Sequence, residues 1–175
     1  MIQTLDMNIL LELNKYLHCG LMDKIMVSAS ILGDYGSIWI VITIMLLCIK
    51  RYRKAGLSLC FGLITTSLIG DVIIKFLVRR PRPFTAIHVT NMLIDKPISY
   101  SFPSGHTAAS FVAAYILSRY FEKYKVAFWI LAILISYSRI YLFVHYPFDV
   151  LAGAVLGIIC GKAVMRFRCI TLRKE

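Results

Sequence analysis

The feature that most constrains this chain is a series of apolar runs, each close to the length needed to cross a bilayer. A transmembrane helix takes roughly 20 mostly apolar residues. Residues 24–49 qualify, although Gly33-Asp34-Tyr35-Gly36 interrupts them and predicts a kink or a break. Residues 55–78 form the second run. A polar stretch, 79–102, precedes three more runs at 104–120, 126–144 and 148–165. The first and last of these three are short, so their ends are expected near the membrane surface. Composition agrees: 59% of the 175 residues are hydrophobic and only 17% charged. Ordinary globular proteins have about 45–50% and about 25%. So few polar residues cannot cover a water-facing surface, which excludes a soluble domain, a coiled coil and a disordered chain. The expected fold is an all-α polytopic membrane bundle of about five transmembrane helices, forming one domain over 1–175.

Residues 1–20 read differently. Ile2, Leu5, Ile9, Leu13 and Leu17 recur at three- and four-residue steps, while Gln3, Asp6, Glu12 and Lys15 fall elsewhere. This is an amphipathic helix, lying along the membrane interface or packed on the surface of the bundle. With Asp6 and Glu12 and no long apolar core, the stretch does not read as a cleavable signal. The five cysteines show no metal-binding or redox spacing.

Charge is strongly asymmetric, with 20 Lys and Arg against 9 Asp and Glu. In a soluble chain that would suggest nucleic acid. In a membrane protein, cytoplasmic loops collect basic residues. Lys50, Arg51, Arg53 and Lys54 lie between runs one and two, and Arg119, Lys123 and Lys125 between three and four. Arg166, Arg168, Arg173 and Lys174 follow run five. All three clusters fall on one side of a five-span layout, expected to be cytoplasmic, and no nucleic-acid role is left to assign. Lys75, Arg79, Arg80, Arg82 and Arg139 gather at the opposite end with His106, His145 and Asp149. Lys75 and Arg139 lie inside apolar runs, where a charge is costly and marks a site. Positive charge held against the orientation rule points to an anionic ligand.

Three clusters carry this polar chemistry. In Lys75-Phe-Leu-Val-Arg79-Arg80-Pro81-Arg82-Pro83, the prolines end the helix. Lys75 and Arg82 can then converge on one anion, Arg82 as a planar fork and Lys75 as a point charge. Equally, Asp71 and Lys75 have the i, i+4 spacing of a simple helical ion pair. In Pro103-Ser104-Gly105-His106, a serine, a glycine and free backbone N–H groups meet the positive end of a helix, a combination that binds phosphate without metal. His106 is placed there to exchange a proton, although alone it also reads as an interfacial histidine and Ser104 as an ordinary N-cap. In Ser138-Arg139-x5-His145-x3-Asp149, Asp149 can accept a hydrogen bond from one ring nitrogen of His145. The other nitrogen is then free as a nucleophile; a local structural bond has the same spacing.

Together, Lys75-x6-Arg82-Pro83, Pro103-Ser104-Gly105-His106 and Ser138-Arg139-x5-His145-x3-Asp149 resemble the three signature motifs of the type 2 phosphatidic acid phosphatases, over about residues 54–165. The resemblance implies that His145 attacks phosphorus to form a phosphohistidine, that Asp149 orients it, and that His106 protonates the leaving oxygen. It implies that Lys75, Arg82, Ser104, Gly105 and Arg139 hold the phosphoryl oxygens. The motifs contain no acidic cluster suited to Mg²⁺, so no metal or cofactor is expected, and activity should survive chelators. A lipid phosphate or diphosphate is the implied substrate, and no obligate protein partner is evident. The compact layout resembles bacterial undecaprenyl-diphosphatases, with the site facing outward from the cytoplasmic membrane. Arg79 and Arg80 are candidate extra contacts to a diphosphate, or simply arginines meeting headgroups. The 84–102 stretch is a candidate lipid entrance, or a plain connector. Phosphatidylglycerophosphate, phosphatidic acid and lipid A are alternative substrates. A related haloperoxidase would be soluble, which the apolar runs oppose. A non-enzymatic flippase or anion carrier would need the positive charge but not two histidines with different neighbours.

Overall fold

The computed structural model describes residues 2–15, 19–86 and 92–171. Leu17, residues 87–91 and the basic pair Arg173 and Lys174 lie outside the described residues. The chain is helical: α1 (Ile2–Asn14), α2 (Gly20–Gly33), α3 (Ser37–Cys48), α4 (Arg53–Ser67), α5 (Lys75–Val78), α6 (Pro83–Ala86), α7 (Gly105–Tyr120), α8 (Lys125–Tyr141) and α9 (Pro147–Thr171).

Among the described residues, three stretches are long and apolar enough to cross a bilayer: Gly20–Cys48, Lys50–Ala86 and Pro147–Phe167. Helices α7 and α8 have 16 and 17 residues, about 24–26 Å at the rise of an α-helix. The reason α7 is less apolar than a lipid-facing helix is its position. It packs on α9, α8 and α4 and buries Thr107, Ser110, Val112, Ile116 and Leu117 among protein. Facing protein on most sides, it has small and hydroxyl-bearing residues where the outer helices have leucine and phenylalanine.

The bundle is apolar outside as well as inside. Phe61, Ile64, Leu68, Val72 and Phe76 are exposed along one flank, and Leu151, Val155 and Ile159 along another. Exposed apolar stripes at helical spacing fit lipid and not water. Inside, Trp39, Leu59, Val112, Ile116 and Ile135 form the largest core cluster. Helix α9 meets α7 through Gly153, Gly157 and Gly161. A Cβ at each would lie 2.5–2.8 Å from Ser104 O, Ala108 O or Tyr115. This small-residue stripe lets two backbones touch and brings the start of α9 to the start of α7.

The interrupted first run is a true break. Helix α2 ends at Gly33, a 3₁₀ turn covers Asp34–Gly36, and α3 begins at Ser37. Between α4 and α5, Leu68–Ile74 is π-helical, a wider winding common near functional sites. Helix α5 stops at Val78 with Arg79 left-handed (φ 47°), two residues before Pro81, as the proline signal predicts.

The N-terminal helix covers Ile2–Asn14. Its apolar residues Leu5, Ile9 and Leu13 are exposed, whereas Asp6, Leu10 and Asn14 are buried. The physical reason is that Asp6 and Asn14 find partners inside. Asp6 pairs with Arg80 and accepts the Phe148 N–H, and the Asn14 amide donates to the Ile140 carbonyl.

Candidate active site

All three sequence clusters come together at one end of the bundle. The other end holds the turns at 49–53 and 121–125, joined by the Tyr52–Phe121 ring contact. At the site end, α7 begins with Ser104 as its N-cap, whose oxygen accepts from the Thr107 N–H and hydroxyl. The Ser104 N–H donates to the Asp149 carbonyl at 3.0 Å, which ties the second motif to the third. Gly105 packs against a carboxylate: a Cβ there would lie 2.7 Å from Asp71 Oδ1.

His145 sits in the turn between α8 and α9 and is 2% exposed. Its Nε2 lies 3.2 Å from Arg82 Nη1. A guanidinium can only donate, so Nε2 accepts and carries the ring's lone pair. The proton is then on Nδ1, which faces Asp149 Oδ2 at 3.5 Å, longer than a hydrogen bond. Burial, aided by the charges of Arg82 and Arg139, pushes the His145 imidazole far below its ordinary value and keeps it neutral, against the opposing pull of Asp149. A neutral imidazole with its lone pair on Nε2 is chemically a nucleophile.

The groups around His145 are tightly held. Arg82 donates through Nε to the Ser99 carbonyl (2.7 Å), through Nη1 to the Val144 carbonyl (2.8 Å) and through Nη2 to the Ser99 hydroxyl (3.0 Å). Asp149 accepts from the Ser101 hydroxyl, from the Tyr146 N–H at 2.9 Å and from Arg80 Nη1 at 2.6 Å. Arg80 also reaches Asp6 at 2.7 Å and lies over the Tyr146 ring.

His106 has a partner on another helix: its Nε2 is 2.8 Å from Asp34 Oδ1. Arg139, 3% exposed, donates to the Ser30 hydroxyl and lies 4.0 Å from the same Asp34 oxygen. The Arg139 Nε–H is buried without an acceptor among the described residues. Lys75 pairs with Asp71 at 2.6 Å, the one-turn pairing that its spacing also allowed. A cavity of about 470 Å³ opens beside Arg139 and Asp34, lined also by Val27, Met92 and Ile94. Among the described residues, no group of three His, Cys, Asp or Glu could hold a metal ion.

The structure therefore sets Arg82, His145 and Asp149 in direct proximity, with Arg139 and His106 linked to each other through Asp34. Ser104 and Gly105 lie beside Asp149 and Asp71. It does not put Lys75 and Arg82 on a common partner. Arg80 faces two carboxylates, and Arg79 is turned to the Phe76 ring and carbonyl. Sequence reasoning misses two acidic residues. Asp34 does carry a signal, a charge inside an apolar run, obscured by its place in the kink. Asp6 has none, since it falls among the polar residues of an amphipathic helix.

Comparison with known proteins gives the family and the fold. The profile of the PAP2 superfamily matches residues 55–169. An undecaprenyl-diphosphatase of Sulfolobus acidocaldarius is 39% identical over 132 residues, 72% of this chain and 62% of that protein; the chain thus spans less than two thirds of that relative's length. The crystal structure of Aquifex aeolicus LpxE superposes with a TM-score of 0.79 at 29% identity, covering 91% of this chain and 93% of the other. A transmembrane phosphatidylglycerolphosphate phosphatase from Bacillus subtilis superposes with a TM-score of 0.76 at 26% identity, covering 95% and 86%.

Proposed function

The chain belongs to the PAP2 superfamily, and from that membership we propose that it is a membrane lipid phosphatase working through a phosphohistidine. The observation that carries this reading is the His145 environment: a buried, neutral imidazole whose Nε2 lone pair lies beside the Arg82 guanidinium. The His145 Nε2 lone pair attacks phosphorus and the bond to the leaving oxygen breaks. That oxygen takes a proton from His106, and His106 then receives a proton from the water that cleaves the N–P bond. Asp149 keeps the Nδ1 proton in place and stabilises the charge His145 acquires. Arg82, Arg139, Lys75, Ser104 and the Gly105 backbone hold the phosphoryl oxygens. The buried Arg139 Nε–H supports this, because an unpaired charged donor is costly and a phosphoryl oxygen satisfies it. In this reading Lys75 exchanges Asp71 for phosphate on binding. Arg80 acts through Asp149, and Arg79 meets headgroups.

The preferred substrate is undecaprenyl diphosphate, as named for the Sulfolobus relative, converted to the monophosphate and inorganic phosphate. The cavity beside Arg139, with Val27, Met92 and Ile94 in its wall, is the path by which a lipid reaches the phosphate site. A glycerophospholipid phosphate is the second reading, favoured by the Bacillus subtilis structure. We place the whole chain as one phosphatase domain with five spans in a bacterial cytoplasmic membrane. Helices α7 and α8 complete the set, and α1 lies at the interface with Leu5, Ile9 and Leu13 toward lipid. The basic turns face the cytoplasm and the site faces outward.

The test is phosphate release by purified protein in detergent. Undecaprenyl diphosphate, phosphatidic acid and phosphatidylglycerophosphate are compared side by side, with His145→Ala as control. Preference for the diphosphate supports the first substrate, and preference for a glycerophospholipid replaces it with the second. No release from any of them overturns the phosphatase reading.

A further inference from the structure

The broken first run brings to the site one carboxylate that no signature motif contains. Asp34 Oδ1 lies 2.8 Å from His106 Nε2 and 4.0 Å from Arg139 Nη1. The backbone is bent to present it. Tyr35 (φ 53°) and Gly36 (φ 69°) are both left-handed, and Tyr35 is 98% exposed. A bulky residue in that conformation is unfavourable, and its exposed ring makes little packing to offset the cost. On the other side, Gly33 leaves room for the imidazole: a Cβ there would lie 2.7 Å from His106 Cδ2 and 2.6 Å from Ile135 Cγ2. Both ends of the break are thus shaped around the contact between Asp34 and His106.

We propose that Asp34 is the positioning residue for His106: it accepts the Nε2–H, fixes the ring's orientation and stabilises the imidazolium that protonates the leaving oxygen. The inference rests on the phosphatase reading above. Nδ1, which has no hydrogen-bond partner among the described residues, is then the atom that exchanges protons. As the His145–phosphorus bond forms, the bond from phosphorus to the leaving oxygen, the ester oxygen of a monoester or the bridging oxygen of a diphosphate, breaks with its electron pair on that oxygen. The oxygen takes the Nδ1 proton, and Asp34 stays ionised. In the second step, water adds its oxygen to phosphorus and gives a proton to Nδ1, while the N–P electron pair returns to His145. The proton count is restored.

Leaving-group dependence tests this. An alkoxide leaving from phosphatidic acid needs protonation, whereas nitrophenolate leaving from p-nitrophenyl phosphate does not. In the full chain, Asp34→Asn should lower kcat on phosphatidic acid about 10–100-fold, part of the typical worth of a general acid. KM should stay within about threefold, and the loss in the first-turnover release of nitrophenolate from p-nitrophenyl phosphate, which precedes the water step that His106 also serves, should be under about threefold. Asp34→Glu should recover part of the lipid rate. The ratio between substrates is taken within one preparation, so a change in the folded fraction cancels. Equal losses on both substrates, or a change in KM alone, overturns the role of Asp34. Wild-type protein that releases phosphate from neither of these nor from undecaprenyl diphosphate overturns the phosphatase reading itself; activity on the diphosphate alone, whose leaving group is already a phosphate, overturns the acid role that Asp34 is said to serve. A silent His106→Ala in an active background removes the proton donor that Asp34 is said to serve.

Discussion

The two histidines of the candidate site each face a carboxylate, yet they are built in opposite ways. His145 is 2% exposed, and its partner Asp149 is fully buried and held by Ser101, Tyr146 and Arg80. The side chains of His106 and Asp34 are 17% and 48% exposed, and their contact crosses between α7 and the turn after α2. Enclosure suits a nucleophile, whose reach to phosphorus must be constant and which must stay neutral. Openness suits a proton donor, which must meet a leaving group going out and a water coming in. Energetics should differ in the same way. Breaking a buried charged network by removing one partner costs about 3–5 kcal/mol, whereas a partly exposed pair contributes about 1 kcal/mol or less.

That contrast can be broken at several points. His145→Ala removes the proposed nucleophile and should lower phosphate release about 10⁴-fold or more, with no phosphoenzyme trapped on alkaline quench. A variant that still forms phosphoenzyme would move the nucleophile elsewhere. His106→Ala should cost about 10²–10⁴-fold on a lipid monoester, measured by steady-state release; a loss as large in the first-turnover release of nitrophenolate from an aryl phosphate would deny it the acid role. Asp149→Ala should lower stability by about 3–5 kcal/mol, against about 1 kcal/mol or less for Asp34→Ala. Thermal unfolding in one detergent compares the two, and equal shifts would erase the distinction between closed and open centres. The smallest effect expected is that of EDTA. Rates should stay within about twofold, because the proposed phosphoryl-binding groups are cations, a hydroxyl and a backbone N–H, and among the described residues no group of three His, Cys, Asp or Glu could hold a metal ion. A strong loss restored by Mg²⁺ would require a different site chemistry.

Much of the fold was legible because its signals are local. Apolar runs mark helices, Pro81 ends one, Ser104 caps another, and Gly33-Asp34-Tyr35-Gly36 breaks a third. That the three clusters gather at one end was legible too, since basic residues remained there after the opposite turns were accounted for. Less legible was which side of α1 faces inward. An amphipathic pattern tells apolar from polar, but in α1 the apolar Leu5, Ile9 and Leu13 are exposed and Asp6 turns toward Arg80.

What the sequence by itself determined is the membrane class, the helical register of the main elements and the identity of the chemical groups, because each depends on residues within a few positions along the chain. What only the tertiary structure decided is the pairing: Arg80 between Asp6 and Asp149, Lys75 on Asp71, and His106 on Asp34 across 72 positions. Such pairings follow from where helices cross. The crossing of α7 and α9 depends on close backbone contact at Gly153, Gly157 and Gly161, and that of α2 on a two-residue left-handed turn. Hydropathy does not encode a crossing point, because the same apolar helix can pack at many rotations until steric fit selects one.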